Sequence, residues 1–103
     1  MTTIIKGNYE WDDEKEKINI HKHKLSFSEI LPVFDDPLFM EKLDKEHSND
    51  SEIRYIGIGK IYSTVVIVTC YTPRGKRTRI ITARISTKRE EKLYEEKCSQ
   101  IYN

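Results

Sequence analysis

Nine basic side chains lie between Ile53 and Arg89 with no Asp or Glu among them: Arg54, Lys60, Arg74, Lys76, Arg77, Arg79, Arg84, Lys88 and Arg89. Arginine stays charged and presents a planar fork of donors that matches phosphate oxygens. Three histidines, His21, His23 and His47, supply imidazoles, the usual proton carriers near neutral pH. These are the groups that metal-free cleavage of a ribose phosphodiester calls for. A base takes the 2′-hydroxyl proton, cations stabilise the crowded phosphorane, and an acid protonates the leaving 5′-oxygen. His47 sits in a polar loop and can swing toward a groove. His21 and His23 are two residues apart, which on a helix sends them to different faces, so they make no metal pair. Glu52, at the border of the basic run, is another candidate base. Tyr55, Tyr62 and Tyr71 offer rings for stacking on bases or for packing within a sheet.

The basic run is hidden by the net charge of +1. Residues 1–52 carry seven basic and thirteen acidic side chains, and the last fourteen residues sum to −2. One sign gathered in a contiguous block makes a local field suited to a polyanion such as RNA. Two plainer readings stand beside that one. Exposed Lys and Arg are ordinary solubilising residues, and thirteen acids are available to pair with the basic block inside the fold.

A chain of 103 residues makes one domain, spanning 1–103, with a single core. Apolar runs such as Ile61–Val68 argue against disorder although 34% of residues are charged. No apolar stretch approaches the roughly 20 residues that cross a bilayer, and no secretory signal is visible, so the expectation is a cytoplasmic protein without a membrane partner. Cys70 and Cys98 fall in no metal or redox spacing and are read as reduced thiols. There is no phosphate-binding glycine loop and no nucleophile elbow. The expectation is therefore chemistry without a cofactor or a bound metal.

The elements that must position these residues are legible in outline. Ile4 to Glu10 reads as a short edge strand. Asp12 is a natural N-cap for a polar helix running to His23, with Asp13 and Glu14 in its first turn and Ile18 on its inner side. Ser26 and Glu29 form a capping box for a second helix, which Pro32 keeps short or kinks. Leu38–Leu43 reads as a short strand. Ile53–Lys60, Tyr62–Tyr71 and Arg77–Ile85 are rich in Ile, Val, Tyr and Thr and read as an antiparallel meander. The first turn falls near Gly59–Ile61 and the second over Thr72–Lys76. Ser86 or Thr87 caps a last helix opened by Lys88-Arg89. The fold class is α+β: a small antiparallel sheet, two N-terminal helices and one C-terminal helix, with the helices on one face.

Alternation along Arg77–Ile85 puts Arg77 and Arg79 on one side and Arg84 on the other, unless a bulge intervenes. Arg54 and Lys60 share a side with Ile56 and Ile58. Lys88 and Arg89 sit at a helix start, which already favours an anion.

Several ordered segments resemble the BrnT family. They are Glu10-Trp11-Asp12, Lys15, Asn19, Lys22-His23, Ser26-Phe27, Val33–Pro37, Glu46-His47-Ser48, Glu52-Ile53-Arg54, Gly57 with Gly59, Tyr71-Thr72, Arg79–Arg84, and Arg89-Glu90 with Tyr94. The resemblance covers residues 9 to 95. It implies a type II toxin with a RelE-like ribonuclease fold that cleaves RNA and arrests translation. It also implies neutralisation by a BrnA-type antitoxin, through which the complex binds operator DNA. Carried over to this chain, the arginines of Arg79–Arg84 and the Lys88-Arg89 pair fall where the family places basic active-site groups, with Arg54 and Lys60 as nearby candidates. On the chemistry of the residues themselves, Arg54, Arg79 and Arg84 are the catalytic candidates that stabilise the phosphate, and Lys88 or His47 is the candidate for handling protons. Lys60, Arg77 and Arg89 are candidate RNA contacts. Two departures stand out: Lys24 takes the place of a glycine after Lys22-His23, and Thr82 replaces a serine before Ala83-Arg84. The same residues also suit a non-catalytic nucleic-acid-binding module or a protein-interaction domain, and sequence alone does not separate the three.

Overall fold

The computed structural model describes residues 2–102. Its element order is β1 (Thr3–Lys6), β2 (Tyr9–Asp12), α1 (Asp13–His23), α2 (Phe27–Ile30), a 3-10 turn (Leu31–Asp35), β3 (Met40–Leu43), β4 (Tyr55–Ile61), β5 (Val65–Arg74), β6 (Arg77–Ile85) and α3 (Lys88–Tyr102). The strands form one six-stranded sheet in the order β1-β2-β6-β5-β4-β3. This is larger than the small antiparallel sheet expected, and it is not wholly antiparallel. The meander β4-β5-β6 is as the sequence reads it, but β2 lies parallel to β6, pairing Tyr9–Trp11 with Thr78–Ile80. The expected N-terminal edge strand is a hairpin, turned at Gly7 with φ +60°.

The caps are those the sequence announces. Asp12 accepts from the backbone N–H of Lys15, and Ser26 and Glu29 complete a capping box. Thr87 and Glu90 make another at the start of α3. Pro32 ends α2 after one turn, and the chain tightens into 3-10 geometry. The first meander turn falls later than expected, at Tyr62 and Ser63, which both adopt positive φ. The second narrows to Gly75-Lys76, with Gly75 at φ +61°.

The sheet is covered unequally on its two faces. One face packs Trp11, Ile67, Tyr71, Ile80 and Ala83 against Leu25, Phe27, Ile30 and Val33. Gly57 lets the Phe39 ring lie on this face, since a Cβ there would stand 2.2 Å from Cζ. The other face packs Ile58, Val66 and Val68 against Tyr94 of α3. The helices therefore do not share a face, contrary to expectation: α3 crosses to the second side. Nor does α1 bury Ile18, which is 65% exposed. Its buried residue is Asn19, whose Nδ2 donates to the carbonyls of Leu25 (3.0 Å) and Ala83 (2.8 Å) while Oδ1 accepts from the Ala83 N–H (3.1 Å). Beyond Ile80, β6 has no strand beside it on that side, and Asn19 supplies the missing partner.

Candidate active site

The decisive local feature is a bulge. In the β5–β6 ladder Tyr71 faces Ile80, but Cys70 faces Thr82, so Ile81 is the extra residue. An extra residue resets the alternation. Ile80 and Ala83 both enter the first core, and Arg84 lies beside Val68 of the second. Arg77, Arg79, Thr82 and Arg84 consequently share the second face. The register separates Arg79 from Arg84 by four ladder steps, about 13 Å along the strand.

Arg79 and Arg54 meet in a cavity of about 160 Å³, lined also by Asp12, Lys15, Glu52, Thr72, Arg74 and Ile81. Arg74 was hidden from the sequence reading because Pro73 and Gly75 mark a turn. The strand in fact continues through Pro73, and Arg74 keeps the parity of Val66, Val68 and Thr72. Arg84 lies further along, on a groove of about 260 Å³ with Met40, Ile56, Ile58, Val68, Thr82 and Leu93. A third recess, of about 200 Å³, is lined by Lys15, Ile18, Asn19, Lys22, His23, Ile81 and Thr82. Lys15 and Ile81 join it to the Arg79 cavity, and Thr82 joins it to the Arg84 groove. The three depressions thus meet at the bulge.

Each arginine lining these depressions is held by a carboxylate. Arg79 pairs with Glu10 at 2.5 Å, and both side chains are largely buried. Arg54 pairs with Glu52 at 2.6 Å, and Arg74 reaches the same Glu52 at 3.6 Å. Arg84 grips Glu90 with both guanidinium nitrogens, at 2.7 and 2.8 Å. The Arg84 fork holds the Glu90 carboxyl down to about 2, and the Arg54 hydrogen bond likewise lowers Glu52. The acidic partners thus come partly from the N-terminal half, as one plain reading anticipates, and partly from α3. These pairs fix guanidinium positions, and a phosphate must compete with them.

The remaining sequence candidates are dispersed. Lys60 shares the second face but lies under α3, with Nζ 3.2 Å from Glu95 and 5.4 Å from the centre of the Tyr94 ring. Tyr94 donates to Asp36 at 2.5 Å. Burial raises Asp36, but the Tyr94 hydroxyl and the Lys60 and Leu38 backbone N–H groups outweigh it, so its carboxyl sits low. Arg77, Lys88 and Arg89 are exposed and make no ion pair among the described residues. His47 turns its Nδ1 to Asp44 at 2.9 Å in the loop before β4 and lines none of the three depressions. Tyr71 is buried in the first core, donates to Glu41 and stacks on Tyr55, so these two rings lie across the sheet from the arginines. Tyr62 is exposed at the β4–β5 turn.

The fold is similar to that of the Brucella abortus ribonuclease toxin BrnT. The match has a TM-score of 0.58 at 24% identity and covers 76% of this chain and 94% of that one. Comparison with curated proteins finds no match. The family model for the BrnT ribonuclease toxin of type II toxin–antitoxin systems matches residues 11–90, from Trp11 within β2 through Glu90 at the start of α3. That span holds the bulge, all three depressions but for Leu93, and every arginine of the second face, and the chain belongs to the BrnT family of ribonuclease toxins.

Proposed function

We propose that this chain is a metal-independent endoribonuclease of RelE-like fold whose second sheet face binds and cleaves RNA, so that translation stops. The observation that carries this reading is the Ile81 bulge, which places Arg79 and Arg84 on the face that also holds Arg54. Arginines spaced along one strand suit successive phosphates, or one phosphate and its developing charge. Arg54, Arg79 and Arg84 stabilise the phosphorane. Lys60, Arg77 and Arg89 guide the flanking strand. Lys88 and His47 are the proton-handling candidates that the sequence offers, and neither lines the depressions of this face. The chemistry draws on side chains alone, because guanidinium groups supply the charge stabilisation that a metal supplies elsewhere. The antitoxin is of BrnA type, the complex binds operator DNA through that partner, and the setting is the cytoplasm.

The test is a defined oligoribonucleotide incubated with purified protein in the presence of a chelator. New ends are expected, and Arg84→Ala should slow their appearance by about a hundredfold, in the range seen when one transition-state donor is removed. Cleavage that vanishes with chelator and returns with a divalent ion contradicts metal independence.

A second reading has one observation in its favour. The groove beside Arg84 is largely apolar, with Met40, Ile56, Ile58 and Leu93, which suits a protein segment better than RNA. Under it the face binds a partner and cuts nothing. RNA mobility would then be unchanged at protein concentrations that saturate the antitoxin.

A further inference from the structure

The ribonuclease reading needs a proton donor for the leaving oxygen. The arginines of the second face keep their protons, and the Lys60 ammonium there is engaged by Glu95 under α3. We infer that His23 is that donor. Lys15, Asn19 and His23 recur at i, i+4 and i+8 and so form one stripe of α1. Asn19 fixes the stripe to β6, gripping the Ala83 backbone with bonds at 2.8 and 3.1 Å. Lys15 then falls at the Arg79 cavity and His23 one turn past the clamp, beside Ile81 and Thr82.

His23 is half-buried and lines the recess that meets both arginine sites at the bulge. The charged groups lining that recess with it are Lys15 and Lys22 from α1; β6 contributes the neutral Ile81 and Thr82. The other imidazoles are placed otherwise. His21 is exposed on another side of α1, and the His47 ring is engaged by Asp44. Of the three histidines, His23 alone lines any of the depressions on the basic face.

In the step assigned to it, the 2′-hydroxyl gives its proton to solvent and the 2′-oxygen bonds to phosphorus. The bond from phosphorus to the 5′-oxygen breaks, and the 5′-oxygen takes a proton from the His23 imidazolium. A 2′,3′-cyclic phosphate and a 5′-hydroxyl remain, and the neutral imidazole regains its proton from solvent. The substrate class is a single-stranded ribonucleotide phosphodiester held between Arg79 and Arg84.

This assignment rests on the ribonuclease reading, and two experiments separate their failures. The first compares His23→Gln, His47→Gln and His21→Gln with the unaltered protein on one oligoribonucleotide across pH. His23→Gln should lower kcat by about 10²–10⁴-fold with little change in KM, and should remove the limb of the pH–rate profile on which activity falls as pH rises. His21→Gln should leave both unchanged. An intact limb in His23→Gln, or its loss in His47→Gln instead, overturns the assignment while leaving the ribonuclease reading in place. The second adds a 2′-O-methyl oligonucleotide, which binds without being cut, and follows the imidazole proton resonances. The resonance missing from His23→Gln should move on binding and that of His47 should not. A moved His47 resonance with a still His23 overturns the placement. Failure of the unaltered protein to cut or bind RNA refutes the ribonuclease reading and takes the assignment with it.

Discussion

The site arginines work as pairs, and the pairs decide which substitutions are informative. Glu10 is 7% exposed, so removing the Arg79 guanidinium leaves a buried carboxylate with no cation, a change that costs about 3–5 kcal/mol. Arg79→Ala therefore confounds folding with chemistry. Arg79→Lys keeps the positive charge at Glu10 and removes the fork, so it should lower cleavage about a hundredfold while the melting temperature stays within a few degrees. Kinetics and thermal melting on the same sample check both halves. Asn19 is a second such residue. Asn19→Ala strips the clamp from Ala83 and orphans buried backbone groups, and it should destabilise the chain by about 3 kcal/mol in urea unfolding. At this scale the sequence showed which residue types were present but not where they meet. Arg84 changes face because of one extra residue at Ile81, and no residue type marks that position as a bulge. Asn19 is legible only as a polar residue on a polar helix, because its role depends on a strand sixty-four residues away.

Elements were most legible where the signal is local. Asp12, Ser26 with Glu29, and Thr87 cap the helices they announce, because a cap needs only its own first turn. The parallel β2–β6 pair and the placement of α3 on the second face were not legible. Periodicity says that Tyr94 must be buried, but not against which side of a sheet. Lys24 shows a local cost. It closes α1 in the left-handed region at φ 60°, a position that favours glycine. Lys24→Gly should raise stability by about 1 kcal/mol, read as a higher urea midpoint at an unchanged slope. α3 carries a pH dependence. Glu90 titrates at about 2 in the folded protein, below its ordinary value of 4.5, so its pair with Arg84 contributes stability that is fully present above about 4.5. That contribution fades as pH falls through the folded value. Glu90→Gln should cost about 1–2 kcal/mol at neutral pH, the partial exposure of the pair tempering the figure. It should also flatten the loss of stability between pH 4.5 and 2, which acid titration by circular dichroism checks.

For the whole molecule the distribution of charge matters more than its sum. The nine cations from Arg54 to Arg89 do not form a uniform patch. Carboxylates hold Arg54, Arg74, Arg79, Arg84 and Lys60 in place, while Lys76, Arg77, Lys88 and Arg89 remain exposed around them. The sheet gathers the paired group on one side and the aromatic residues Tyr55 and Tyr71 on the other, so base stacking on those rings is not part of the binding surface. If about four phosphates are engaged, log K for single-stranded RNA should fall with log salt at a slope near −3, measured by filter binding or anisotropy. Residues past Glu90 lie outside the family match, so most of α3, with the Tyr94 and Glu95 contacts to Asp36 and Lys60, is added to the matched span. What matters most is whether Arg79 and Arg84, which the bulge sets on one face, cut RNA. The most direct measurement is the single-turnover cleavage rate of an oligoribonucleotide, in chelator, by the unaltered chain and by Arg79→Lys and Arg84→Lys. New RNA ends are expected from the unaltered chain, and each variant should be slower by about a hundredfold with its melting temperature preserved. Cleavage by both variants at the unaltered rate would contradict that role.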